Sequence, residues 1–174
     1  MHCVRTYPTD DREQVEHSSR IVKGEFKTQP SQSILIVEDN DDDFESTYDA
    51  LREESNFSNP IYRAKNGAEA LDFLYHRGQY DKPGSSPRPG LVLLDLNMPG
   101  VDGRTVLNRI KSDASLKSIP VIVFSTSANP VDVDACYNSG ANSYVQKPVS
   151  LEGLINAIRR IKDCWFEITI LPKG

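Results

Sequence analysis

Leu91-Val92-Leu93-Leu94-Asp95-Leu96-Asn97-Met98-Pro99-Gly100 is the stretch on which the fold turns. Four consecutive apolar residues run into one aspartate, and a Pro-Gly turn follows. An apolar run bounded by turn signals reads as a strand buried on both faces, the kind found in parallel sheets. A carboxylate at the end of such a strand lies at the C-terminal edge of the sheet, where open α/β folds bind ligands. The plainer reading is a polar residue ending a strand. The ends of the other strands decide between the two.

Working outward, Ser33-Ile34-Leu35-Ile36-Val37 is a first buried strand running into Glu38-Asp39. Phe44, Tyr48 and Leu51 then recur at helical spacing, so a helix begins near Asp41. Asp41, Asp42 and Asp43 read as acids favoured by the helix N-terminus. Glu38 and Asp39 lie at the strand end, outside the helix. Pro60-Ile61-Tyr62-Arg63-Ala64 is a shorter second strand. Asn66 can cap the next helix, whose apolar face carries Ala70, Leu71, Leu74 and Tyr75. Residues 77–90 are rich in Gly, Pro and Ser and read as a long exposed loop. Beyond the opening stretch, a helix after Gly103 carries Val106, Leu107 and Ile110. Pro120-Val121-Ile122-Val123-Phe124 is a fourth buried strand, ending in Ser125-Thr126-Ser127. A helix from Pro130 stops near Gly140. Ser143-Tyr144-Val145-Gln146 is a short fifth strand, followed by Lys147-Pro148. The last helix places Leu151, Leu154, Ile155, Ile158 and Ile161 on one face. Five β-α units in a row predict an α/β fold: a five-stranded parallel sheet, doubly wound, in three αβα layers. Residues 33–165 form the predicted domain, 1–32 a polar and flexible extension, and 166–174 an apolar tail, with β character expected from Trp165 to Pro172.

The 174 residues suffice for one domain with an extension. A net charge of −5 argues against a non-specific nucleic-acid binder, and no DNA contact is expected. No apolar run approaches the roughly 20 residues of a membrane span, and no signal-peptide core opens the chain, so a cytoplasmic location is expected. Cys3, Cys136 and Cys164 are too widely spaced for a zinc site and odd in number for a disulfide framework.

Glu38-Asp39, Asp95, Ser125-Thr126 and Lys147 therefore follow four strands that can converge on one crevice. Three carboxylates packed together repel one another, unless a cation sits among them. A partly solvated set of oxygen ligands suits Mg²⁺. The charge of Mg²⁺ with that of Lys147 balances the three acids. Such a site favours phosphoryl transfer, with one carboxylate as nucleophile and the cations neutralising the moving group. Asp95, the lone acid of the central strand, is the best nucleophile. Asp39 is the better direct metal ligand, Glu38 acts through water, and Ser125 can offer its hydroxyl to a phosphoryl oxygen.

These motifs resemble the receiver domains of two-component response regulators. The resemblance rests on Ile34-Leu35-Ile36-Val37-Glu38-Asp39-Asn40, on Leu93-Leu94-Asp95-Leu96-Asn97-Met98-Pro99 with Asp102-Gly103, on Ser125, and on Gly140-Ala141 through Tyr144 to Lys147-Pro148. It implies a flavodoxin-like receiver fold in which Asp95 takes phosphate from a histidine kinase. It also implies Mg²⁺ on Asp39, Asp95 and the carbonyl of Asn97 with Glu38 nearby, Lys147 against the phosphoryl group, and Ser125 with Tyr144 as the switch pair. Loop 77–90, the run from Asp102 to Asp113 and the Trp165-Phe166 tail further resemble the small response regulators that partner phytochromes in cyanobacteria and other bacteria. That likeness implies a phytochrome-type kinase as partner.

After Trp165 too little chain remains for a DNA-binding module, so output is expected through protein contacts, including a homodimer on the last helix and tail. An aspartate-nucleophile phosphatase would also use an Asp after a buried strand with Mg²⁺ and a lysine. It wants an acid two residues beyond the nucleophile, where Asn97 stands, and an amide cannot donate and recover a proton. A phosphorylation-independent interaction module is the third reading. It would lack one of the acids or the lysine, and all are present.

Overall fold

The computed structural model describes residues 32–53 and 57–172. The expected extension lies almost wholly outside this span, as does Cys3. Five parallel strands, β1 (Ile34–Val37), β2 (Ile61–Ala64), β3 (Leu91–Leu94), β4 (Val121–Ser125) and β5 (Ser143–Gln146), form one sheet in the order β2-β1-β3-β4-β5. Helices α1 (Asp41–Glu53), α2 (Gly67–Leu74), α3 (Gly103–Ser112), α4 (Pro130–Asn138) and α5 (Leu151–Lys162) connect and follow them. The predicted doubly wound α/β architecture is the one observed.

The alternation of side chains along each strand divides the core in two. Leu35, Val37, Val92, Leu94, Val121 and Val123 face a layer containing Phe73, Leu107 and Ile110. Ile34, Ile36, Leu91, Leu93, Ile122 and Phe124 face the opposite layer, with Leu51, Phe57, Ile158 and Ile161. Every position of β1, β3 and β4 is buried, whereas the edge strands β2 and β5 are mostly half-buried. This is the pattern of a sheet covered on both faces and open at its edges. Asn66 caps α2 as predicted, accepting from the Glu69 amide. Gly140 has φ +91° and lets the chain turn from α4 into β5.

Two expectations are corrected. Among the described residues the tail has no β strand from Trp165 onward. A π-helical turn over Asp163–Ile168 continues α5. It brings Phe166 edge-on to Phe57, with ring centroids 5.2 Å apart. Trp165 and Phe166 thus join the α1–α5 core, and tertiary packing overrides the β preference of the aromatic and branched residues. Loop 77–90 is exposed only over its first half. Ser86, Pro89 and Gly90 are buried, and Ser86 meets the His76 ring nitrogen Nδ1 at 2.7 Å.

Candidate functional site

The parallel register brings the strand exits to one level. Val37 pairs with Leu94, and Leu94 with Val123. Glu38 and Asp95 therefore emerge side by side at the junction of β1 and β3, where the order of connections reverses. The ladder carries on through the site, since the Asp95 amide donates to the Val37 carbonyl at 3.0 Å and the Lys147 amide to the Ser125 carbonyl at 2.8 Å. Gly103 is required close by: a Cβ there would run into the Asp95 carbonyl oxygen, so only glycine lets α3 start against the strand end.

Carboxylate oxygens of Glu38, Asp39 and Asp95 lie within 4.8 Å of one another. Glu38 and Asp95 are buried, Asp39 half-buried. Lys147, itself buried, donates to Glu38 Oε2 at 2.6 Å and to Asp43 Oδ2 at 2.8 Å, and its Nζ stands 4.0 Å from Asp95 Oδ1. That Asp95 oxygen is buried with no hydrogen-bond partner. Burial pushes the Glu38 carboxyl above its ordinary range, against the pull of Lys147, and Asp95 adds to the rise. Burial alone would lower the Lys147 ammonium, but its bonds to Asp43 and Glu38 carry it above the ordinary lysine value. An orphaned carboxylate oxygen among three hard oxygen donors fits a small divalent cation, which would supply the missing partner.

Ser125 is fully buried at the end of β4, and its Oγ accepts from the Asn97 amide at 3.3 Å. It does not cap α4, a role taken by Asn129. Thr126 is exposed on the rim of a groove of about 420 Å³, shared with Asp43, Lys147 and Leu151. Tyr144 is half-buried on β5 and donates its hydroxyl to the Ser127 carbonyl at 2.9 Å. The site residues singled out from the sequence thus lie at the C-terminal end of the sheet, except Tyr144, which sits in the first half of β5 and reaches the β4–α4 loop through its hydroxyl. Asp39, Asn97 and Thr126 are open to solvent to different degrees, while Glu38, Asp95, Ser125 and Lys147 form the buried floor.

Four residues around the site were not assigned to it from the sequence. Asp43 read as a helix-start acid and is a partner of Lys147. Arg63, at the end of β2, donates from Nε to the Glu38 carbonyl at 3.1 Å and from Nη2 to the Asp39 carbonyl at 3.3 Å. It also pairs with Asp41 at 2.5 Å and lies over the Phe44 ring. On the other flank Arg104 pairs with Asp132 at 2.7 Å, and Asp132 accepts from the Ser127 hydroxyl at 2.8 Å. Only the place of Asp43, in the first turn of the helix that directly follows Glu38 and Asp39, could have drawn attention.

A five-stranded parallel sheet with acids at the exits of β1 and β3 and a lysine after β5 defines a class of phosphoryl-handling signalling domains. The family model described as response regulator receiver domain matches residues 34–159, and the chain belongs to that family. Response regulator Rcp1 of Synechocystis sp. is 38% identical over 146 residues, which are 84% of this chain and 97% of that protein. The crystal structure of the phosphorylated cyanobacterial phytochrome response regulator RcpA superposes with a TM-score of 0.77 at 38% identity, covering 83% of this chain and 100% of that one. The Mn²⁺-bound form of Rcp1 gives 0.76 at 39% identity, covering 82% and 99%. Among the described residues no helix is long and apolar enough to cross a membrane.

Proposed function

We propose that the protein is a single-domain response regulator of the cytoplasm in which Asp95 is the phosphoacceptor. A carboxylate oxygen of Asp95 attacks the phosphorus of a kinase phosphohistidine. The phosphorus–nitrogen bond breaks, its electron pair returns to the imidazole, and an acyl phosphate forms on Asp95. Mg²⁺ held by Asp39, Asp95 and the Asn97 carbonyl, with Glu38 nearby, would neutralise charge on the phosphoryl oxygens when bound. Lys147 would oppose that charge from the other side, and Ser125 and Thr126 would donate to phosphoryl oxygens. Ser125 moving toward the phosphoryl group would leave room for Tyr144 to turn inward.

The observation that carries this reading is the buried, partnerless Asp95 oxygen facing an ammonium 4.0 Å away across an acidic triad. Intact-mass spectrometry after incubation with acetyl phosphate tests it. Wild type should gain one phosphoryl group only with Mg²⁺, and Asp95→Ala should gain none. A gain that survives in Asp95→Ala, or none in wild type, would sink the assignment.

The likeness to Rcp1 and RcpA supports a phytochrome-type histidine kinase as donor. Residues 33–165 would be the receiver unit. Output would pass through protein contacts, including a homodimer through α5 and the tail, where Ile168 and Ile170 are exposed. Light scattering should then read a dimer in the presence of beryllofluoride; a monomer with and without it would exclude that arrangement.

A further inference from the structure

We infer that Asp43 is a positioning residue of the phosphoacceptor site: together with Glu38 it holds the Lys147 ammonium off Asp95, leaving room between them for a phosphoryl oxygen. This rests on the reading of Asp95 as phosphoacceptor. Lys147 Nζ is bound at 2.6 Å and 2.8 Å by Glu38 and Asp43, yet stands 4.0 Å from Asp95 Oδ1. Charge-assisted bonds between ammonium and carboxylate run about 2.7–2.9 Å, so Lys147 and Asp95 are opposed but not joined. Both are buried, and Asp95 Oδ1 has no other partner. Two buried opposite charges this close would ordinarily collapse into a pair. The pair would cover the nucleophile and bring the lysine too near for a group seated on the other carboxylate oxygen.

Asp43 supplies what prevents the collapse. Its backbone is fixed in the first turn of α1, where its amide donates to Asn40 Oδ1 at 2.9 Å. Its carboxylate therefore reaches Lys147 from a rigid helix end, opposite the flexible stem of the lysine. Its side chain is 44% exposed, against 8% for Lys147 and 6% for Glu38. The lysine is thus tethered between a buried acid and one at the mouth of the groove. Preorganisation of this kind removes the need to reposition a cation during transfer.

The test compares Asp43→Ala with Asp42→Ala. Both remove an acid from the same helical turn, but Asp42 is exposed and is not a partner of Lys147. Phosphorylation of Asp95 by acetyl phosphate with saturating Mg²⁺ should slow by about ten-fold or more in Asp43→Ala, since a misplacement of about 1 Å can cost about 100-fold. It should stay at the wild-type rate in Asp42→Ala, with the two variants melting at similar temperatures. A crystal structure of Asp43→Ala should show Lys147 Nζ within about 3 Å of an Asp95 oxygen. An unchanged rate, an equal loss in Asp42→Ala, or a slow variant with Lys147 still 4 Å from Asp95 would each overturn the assignment. Failure of wild type to take up phosphate would fault the phosphoacceptor reading instead, and the position of Lys147 in the variant would still decide the role of Asp43.

Discussion

Two loops flank Asp95, and they are held in different ways. The acidic loop after β1 is gripped by two cations with little solvent around them. Arg63, 15% exposed, takes the carbonyls of Glu38 and Asp39, and Lys147 takes the carboxylates of Glu38 and Asp43. The β4–α4 loop, residues 126–129, is tied mainly by hydroxyls. The Tyr144 hydroxyl reaches the Ser127 carbonyl and the Ser127 hydroxyl reaches Asp132, whose ion pair with Arg104 is partly exposed. Hydrogen bonds to charged groups contribute about 1.5–3 kcal/mol each, and the first loop has four of them; the second has the neutral Tyr144–Ser127 bond, of about 0.5–1.5 kcal/mol, and a bond from Ser127 to the partly exposed Asp132 carboxylate. Exposed ion pairs contribute about 0–1 kcal/mol. One flank is therefore a fixed cradle. The other can rearrange when something new arrives at Asp95.

The largest effect expected from this contrast is that of Lys147→Met. Removing one partner of a buried pair leaves the Glu38 charge uncompensated and should lower unfolding free energy by about 3 kcal/mol in metal-free buffer. Mg²⁺ should then stabilise the variant more than it does wild type, as a thermal melt with and without the ion would read. Equal metal responses would mean that Lys147 and the ion do not share a site.

A smaller pair of effects sets the flanks directly against each other. Arg63→Ala should cost about 2 kcal/mol and weaken Mg²⁺ binding, since it frees the backbone of Glu38 and Asp39. Asp132→Asn should barely move the melting temperature, yet speed amide exchange in residues 126–129. If the two variants melt alike, the contrast between flanks fails. The chain of contacts Tyr144–Ser127–Asp132–Arg104, the latch on the β4–α4 loop, should also respond to acid. Hydrogen bonds from Arg104 and then from Ser127 hold the Asp132 carboxyl below its ordinary value of 3.8. A depressed carboxylate stabilises the fold above its unfolded pKa and loses that contribution as pH falls through the folded one. The latch should accordingly stay closed at neutral pH and loosen only below about pH 4, read by exchange in the same loop.

The cradle and the latch differ also in how much of them the sequence displays. β1, β3 and β4 are legible because a strand buried on both faces must be apolar at every position. Glu38, Asp95 and Ser125 are legible because they end or follow such runs, and Lys147 because it follows the short fifth strand directly before a proline. Arg63 is not, because its role depends on β2 lying beside β1, which no local pattern states. Asp43 was hidden behind a sound local explanation, the preference of acids for helix starts, that holds whether or not a lysine waits above it. Arg104 and Asp132 lie on different helices and meet only because α3 and α4 cover the same face of the sheet. The π-helical turn after α5 was misread for a similar reason: Trp165 and Phe166 prefer strands in isolation, and the Phe57 ring that redirects them lies far away in the chain.

The long connection between α2 and β3 has a practical consequence. It enters β3 at Leu91, the end of the strand opposite Asp95, and its second half is anchored by Ser86 and Pro89. Ahead of these moorings, residues 81–84 are solvent-facing, and Gly84, at φ +82°, has nothing within 4 Å of where a Cβ would lie. A dye, an affinity peptide or a second folded module spliced there would ride on the underside of the sheet. The protein therefore offers a natural handle for immobilising or reporting on it while its upper edge stays free to meet a kinase.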